Sequence, residues 1–276
     1  MPEFVLEDEG ISFGDILVRL ARNENEIHQA QSLRYHIFYE EFNATPSDEI
    51  RQIGRDVDYF DDHTDHLVVI DKSIMDSEKA VVGTYRLLRE DQAEKAGRFY
   101  TSDEFDISKL IENYSGLLEM GRSCVLEKYR TKAVLQLLWQ GIAEYVAHYN
   151  VEFLFGCASF PGTNPETHAE ELSFLYHNHM APEGFRPRAL PELYTKMDWL
   201  GAEDINARKV LKNLPPLIKG YLRIGGFVGD GAFVDHSFDT TDVCVVLSTS
   251  MMTQSYQKHY ERKTGADFSK GNGNAE

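Results

Sequence analysis

The stretch Leu117-Leu-Glu-Met-Gly-Arg-Ser-Cys-Val-Leu-Glu-Lys-Tyr-Arg-Thr-Lys-Ala-Val-Leu-Gln-Leu-Leu-Trp139 decides the fold. Residues 117–127 read as a strand, 128–131 as a basic turn, and Thr131 to about Tyr149 as a helix. The helix repeats Val134, Leu135, Leu138, Ile142, Tyr145 and Val146 at a spacing that places them on one face. Glu119 stands in the strand among Leu117, Leu118, Met120 and Cys124. A carboxylate in such surroundings needs a partner or a task. Strand residues three apart face opposite ways, so Glu119 and Arg122 share a side only if the strand bulges, with Gly121 the expected bulge residue. A bulge also frees the N–H groups after Arg122, at Ser123 and Cys124, to hold a carbonyl oxygen while a carboxylate accepts a proton. Acyl transfer from a thioester to an amine needs that combination.

Outward from this unit the chain reads as one mixed α/β domain over residues 13–265. Residues 1–12 and 266–276 are expected to be disordered. Residues 13–22 read as a strand, and Asn23 with Glu26 opens a helix to about Phe42 with a capping box. An acidic loop fills 43–64. Residues 65–71 and 80–89 form a strand pair, and a helical patch covers 108–114. The apolar run 151–160 predicts a strand covered on both faces. Residues 161–212 form an insertion with one helix, 165–179. Pro215 and Pro216 open a short helix to Gly225, followed by strands at 232–238 and 243–249 around Asp239-Thr-Thr-Asp242 and a helix near 254–262.

The formal charge of −17 argues against a nucleic-acid partner. Two basic patches run against this balance, one in 186–223 and one at Lys128, Arg130 and Lys132. Three scattered cysteines fit buried thiols in a reducing cytoplasm. No apolar run is long enough to span a membrane, and the N-terminus lacks the basic start and apolar centre of a signal peptide. His63-x-x-His66 and His177-x-His179 lack further ligands, so no metal is expected. No Gly-x-Ser-x-Gly elbow is present, which favours direct transfer over an acyl-enzyme.

Four pieces occur in order: Arg34-Tyr-His-Ile-Phe38, Asp58-Tyr-Phe-Asp61, a strand arginine in Gly83-Thr-Tyr-Arg86, and Glu119-Met-Gly-Arg122. Together they resemble the acyl-homoserine-lactone synthases, GNAT-fold enzymes that move an acyl chain from acyl carrier protein to an amine. The C-terminal half, Leu214-Pro-Pro-Leu-Ile-Lys-Gly-Tyr-Leu-Arg-Ile-Gly-Gly-Phe-Val-Gly-Asp-Gly-Ala-Phe-Val-Asp-His236 and Asp239-Thr-Thr-Asp-Val-Cys-Val-Val246, resembles instead the ornithine Nα-acyltransferases of bacterial ornithine-lipid synthesis. The resemblance runs from about residue 15 to 262. It implies a GNAT-type fold with a mixed central sheet flanked by helices, a 3-hydroxyacyl-acyl-carrier-protein donor, L-ornithine as acceptor and lyso-ornithine lipid as product. No cofactor is implied beyond the carrier's phosphopantetheine arm.

One departure concerns the donor. The GNAT turn that binds coenzyme A is glycine-rich, so that backbone N–H groups can approach a diphosphate. Here it is Glu127-Lys-Tyr-Arg-Thr-Lys-Ala133, without glycine and with Lys128, Arg130 and Lys132 suited to an acidic carrier protein. Glu119 is the first candidate base, and its removal is expected to cost turnover and not the fold. His236 is its rival, although a histidine near a strand end also serves structure. Arg34, Phe38, Asp58, Asp61 and Arg86 contact substrate or form a structural Arg–Asp network. Asp235, Asp239 and the nearby Asp230 and Asp242 offer acids for the acceptor's ammonium. The rival functions are a lactone-synthase-like or coenzyme-A-dependent N-acyltransferase with another amine, and a non-enzymatic cytolysin, for which no membrane segment is evident. A lipid product suggests work beside the inner membrane and hand-off to a second, O-acylating enzyme. The helix 215–225 is either a reversible membrane contact or a core element.

Overall fold

The computed structural model describes Leu6, residues 9–76 and residues 79–252. The helix expected near 254–262 and the tail 266–276 lie outside these residues, as does most of the segment 1–12. The strands are β1 (Ile11–Phe13), β2 (Ile16–Leu20), β3 (Asp65–Asp71), β4 (Val81–Arg89), β5 (Phe105–Asp106), β6 (Leu117–Val125), β7 (Phe153–Pro161), β8 (Arg188–Ala189), β9 (Phe227–Asp235) and β10 (Thr240–Ser248). They form one sheet in the order β1-β2-β3-β4-β6-β7-β10-β9-β8-β5. β6–β7 and β8–β9 are parallel, and the other neighbours are antiparallel. The expected strand 13–22 is a hairpin, broken where Gly14 takes a left-handed φ of 60°.

Both faces are covered, and the pleat sorts the side chains. Leu67, Val69, Leu87, Leu118, Leu154 and Val245 point to one face. There they meet α5 (Lys132–His148), α6 (Ala169–His179), α7 (Ala207–Asn213) and α8 (Pro216–Ile224). Their neighbours Val68, Leu88, Leu117, Phe155 and Val246 point to the other face. That face is covered by α1 (Glu24–Tyr35) and by the segment holding α3 (Glu90–Ala96) and α4 (Ser108–Asn113), while α2 (Asp48–Ile53) lies in the acidic loop between β2 and β3. Asn23 caps α1 by accepting from the N–H of Glu26, but the Glu26 carboxylate accepts from Arg19 and from the N–H of Arg22 instead of completing the expected capping box. The last turn and a half, His36–Glu41, is a π-helix rather than α.

Two local features of β6 make room for chemistry. Its parallel ladder with β7 spans Leu117↔Phe153 to Glu119↔Phe155. The strands part beside Gly156, whose φ is 155° and where any Cβ would stand 2.3 Å from the Met120 carbonyl oxygen. Against β4, Thr84 pairs with Cys124 and Arg86 with Gly121, so Tyr85 alone opposes Arg122 and Ser123. The expected bulge is therefore present. Its left-handed residue is Arg122, with φ 51°, and not Gly121. Holding a non-glycine residue there costs on the order of 1 kcal/mol, which the surrounding contacts must exceed.

Candidate functional site

Where β6 and β7 part, a cavity of about 790 Å³ opens between Met120–Val125 on one side and Cys157–Pro161 on the other. Backbone groups of β6 that point away from β4 face this space. Phe38, Phe42, Leu135 and Leu217 supply an apolar wall, and Glu104, Asp235 and Asp242 an acidic one. Leu135, expected in the core face of α5, is 44% exposed and belongs to this wall instead.

The bulge turns the Arg122 side chain to the side of Glu119 and Arg86. Its guanidinium lies over the rings of Tyr100 and Phe238, 4.9 and 4.7 Å from their centroids. It pairs with Asp58 at 3.1 Å and with Asp56 at 3.3 Å. Arg86 pairs with Asp58 at 2.6 Å and Asp61 at 3.4 Å. Arg34 makes a two-pronged contact to Asp61 at 2.8 and 2.7 Å and an ion pair to Asp56 at 2.8 Å. Asp58 and Asp61 also cap the 3-10 turn Tyr59–His63 in a reciprocal box. Three arginines and three aspartates thus neutralise one another. Burial works to raise the Asp61 and Asp58 carboxyls, but Arg34 and Arg86 hold the first well below the carboxylate range, and Arg86 and Arg122 depress the second. Of the two roles open for Arg34, Asp58 and Asp61, the structural network is the one seen. None of the three lines the cavity, and Arg34 has no exposed surface. Phe38, Arg86 and Arg122 do line it.

Glu119 lines the cavity too, and both its oxygens are engaged. Oε2 accepts from the N–H of Tyr100 at 2.8 Å. Oε1 accepts from the N–H of Thr101 at 2.9 Å and from its hydroxyl at 2.8 Å. The carboxylate therefore caps the 3-10 turn Tyr100–Asp103 and fixes the segment that carries Tyr100 and Glu104 to the cavity. Burial raises its pKa against the hydrogen bonds from Thr101. These contacts give Glu119 a structural role, so its removal is expected to cost stability as well as turnover. His236 is exposed in the β9–β10 turn and does not line the cavity, so the structure does not bring it to the other candidates.

Sequence reasoning missed Glu104 and Asp56. Glu104 follows the 3-10 turn, and no periodicity marks it. Burial first, then the neighbouring Asp242, pushes its carboxyl up to about 8, and the Cys157 thiol lies 3.0 Å from Oε2. Asp242, also buried, is raised to about 6. Asp235 accepts from the N–H groups of Ser237 and Phe238. Asp239 lines the cavity at its exposed edge, with a left-handed φ of 53°. Asp230 is elsewhere, bonded to Tyr194 and paired with Arg188. Among the described residues, Glu104, Asp235 and Asp242 are the group whose donor atoms come within 4.8 Å of one another, as a metal site requires. The group contains no histidine, and neither histidine pair named above joins it.

The turn after β6 bonds inward. The N–H groups of Tyr129, Arg130 and Thr131 donate to the carbonyls of Leu126, Glu127 and Tyr129, and the Thr131 side chain caps α5 at Val134. Arg130 is held by Glu41 through contacts of 2.5 and 2.7 Å and by the Val125 carbonyl. It is therefore not the open cation of the expected basic cluster, whereas Lys128 and Lys132 are exposed. In α8, Ile218, Tyr221 and Ile224 are buried in the core, so its apolar stripe faces inward. Among the described residues no helix is long and apolar enough to cross a membrane.

Residues 33–140 match the acetyltransferase (GNAT) domain model. The L-ornithine N(alpha)-acyltransferase of Agrobacterium fabrum is 49% identical over 94% of this chain and 90% of its own. That of Rhizobium meliloti is 48% identical over 90% of this chain and 84% of its own. The solved N-acyl amino acid synthase from uncultured soil microbes is similar at a TM-score of 0.48 and 9% identity, over 87% of this chain and 97% of that one. The mixed sheet flanked by helices, the GNAT match and near-full-length identity to the curated enzymes agree: the chain is a GNAT-fold acyltransferase and belongs to the L-ornithine N(alpha)-acyltransferase family.

Proposed function

We propose that the protein moves a 3-hydroxyacyl chain from acyl carrier protein to the α-amino group of L-ornithine, releasing lyso-ornithine lipid for a second, O-acylating enzyme. The observation that carries this reading is the opening between β6 and β7, where unpaired strand backbone, an apolar wall and an acidic wall share one cavity. The thioester carbonyl would lie against the N–H groups after Arg122, at Ser123 and Cys124, which hold the oxyanion as the amine attacks. The C–N bond forms, the C–S bond breaks, and on balance one proton passes from nitrogen to sulfur. Each methylene placed against Phe38, Phe42, Leu135 and Leu217 contributes about 0.8 kcal/mol of binding. Burial pushes the Cys124 thiol up to about 12 and the Cys157 and Cys244 thiols up as well, so none is a ready nucleophile, which supports direct transfer.

Carrier protein as donor is supported by the turn at 127–131, where the N–H groups of Tyr129, Arg130 and Thr131 are already bonded to nearby carbonyls, and by the exposed Lys128 and Lys132. Expression in cells that lack ornithine lipids, followed by mass spectrometry of the lipid extract, tests the reading. An ornithine amide of a 3-hydroxy acid is expected. Accumulation of an acylated amine other than ornithine refutes the acceptor. The packing of α8 supports a core role for that helix, and we assign it no membrane contact.

A further inference from the structure

We propose that Glu104, Asp235 and Asp242 form the pocket for the acceptor's side-chain ammonium, so that the enzyme selects dibasic over neutral α-amino acids. This rests on the reading that the acceptor is an amino acid entering the cavity between β6 and β7. The three carboxyls come from separate elements. Glu104 follows the turn fixed by Glu119, Asp235 ends β9, and Asp242 faces Ser159 across the β10–β7 ladder. All three are buried and line the cavity, with one oxygen of each within 4.8 Å of the others. An ammonium has three donors and no acceptor, and can reach one oxygen of each.

A second observation points to a missing cation. Asp242 is 5% exposed, and its buried Oδ1 has no hydrogen-bond partner among the described residues. A buried polar atom left in that state costs free energy unless a ligand satisfies it. Charge balance says the same. The arginines nearby are committed, Arg34 and Arg86 to Asp56, Asp58 and Asp61, and Arg122 to Asp56 and Asp58. Among the described residues the trio has no ion pair of its own, and burial first, then the neighbouring carboxylates, raises Glu104 and Asp242, although the Ser159 and Thr240 hydroxyls pull Asp242 the other way. An incoming ammonium relieves both.

The test compares L-ornithine with L-norvaline, which has the same carbon chain and no side-chain amine, using any acyl donor on which the wild type is active. The wild type should favour ornithine by about a hundredfold or more in kcat/KM, the scale at which a site built for a polar group rejects an analogue lacking it. Asp242→Asn and Glu104→Gln should each lower that ratio at least about tenfold. Equal use of ornithine and norvaline by the wild type overturns the proposal whether or not either variant folds. So does an unchanged ratio in a variant with wild-type circular dichroism. Mg²⁺ or Ca²⁺ that competes with ornithine, and stabilises the wild type but not Asp242→Asn, overturns it in favour of a metal site. A wild type that acylates no amino acid refutes the function above and, with it, the premise of the pocket, whereas equal use of ornithine and norvaline refutes the pocket alone.

Discussion

Replacing Glu119 with alanine separates a strut from a base. The carboxylate accepts three hydrogen bonds, from the N–H groups of Tyr100 and Thr101 and from the Thr101 hydroxyl, at 2.8 to 2.9 Å. Thr101 has no exposed surface, so its two donors are stranded by the change, while the cavity beside Tyr100 admits water to the third. At about 1–3 kcal/mol per stranded buried donor, less what is regained by removing a buried carboxylate, the net cost is roughly 2–4 kcal/mol. Glu119→Gln keeps an oxygen for Thr101 but turns an NH₂ toward one backbone N–H, which costs about 1–2 kcal/mol. Urea unfolding followed by the fluorescence of Trp139 and Trp199 reads this as a shift in midpoint at constant slope. Turnover should fall in the same order as stability, alanine more than glutamine, because the turn carrying Tyr100 and Glu104 loosens. An alanine variant as stable as the wild type but inactive refutes the reasoning and makes Glu119 the base.

Gly156→Ala should close or distort the opening of the sheet, since its Cβ would lie 2.3 Å from the Met120 carbonyl oxygen at a φ of 155°. A melting midpoint lowered by roughly 6 °C or more is expected, corresponding to about 3 kcal/mol in a chain of this size. Glu104→Gln tests the raised carboxyl through stability. A folded-state pKa of about 8 against an ordinary 4.5 means that the wild type is stabilised by this group below about pH 4.5 and loses that stability as pH rises through 8. The variant should match the wild type near pH 4.5 and exceed it by roughly 4 kcal/mol at pH 8, where parallel urea-midpoint curves would contradict the assignment. Lys128→Glu with Lys132→Glu should raise the KM for carrier protein several-fold with little change in kcat, and added salt should weaken the wild type in the same way. Arg130→Glu should instead lower stability, since it breaks the pair with Glu41.

The strand–turn–helix around Leu117–Trp139 was legible because its signals are local: an apolar run, a polar turn and a helical period end to end. The bulge was legible too, but its left-handed residue was not. Gly121 has the permissive backbone, yet the guanidinium of Arg122 is pulled toward Asp56, Asp58 and two rings, and tertiary contact overrides the local preference. The strand expected at 232–238 is β9, Phe227–Asp235, because Gly229 and Gly231 read as a turn while lying in the strand. The Pro187 backbone at Gly229 and a φ of 86° at Gly231 disfavour a side chain at these positions. The actual turn is made by Asp235, which accepts from Ser237 and Phe238. In the acidic loop, α2 and the 3-10 turn Tyr59–His63 are too short to show a period. Glu104 and Asp56 became visible only once the fold brought distant segments together. The basic cluster at 128–132 looked uniform in sequence, and the Arg130 contact with Glu41, 89 residues away, divides it.

The most direct test of the central claim is a reconstituted reaction of the purified protein with 3-hydroxyacyl-acyl carrier protein and L-ornithine, its product followed by mass spectrometry. The account predicts an Nα-(3-hydroxyacyl)ornithine, formed without a covalent acyl-enzyme, at a kcat/KM well above that with the matching acyl-coenzyme A. No ornithine amide, or equal or better turnover with the coenzyme A thioester, would contradict it.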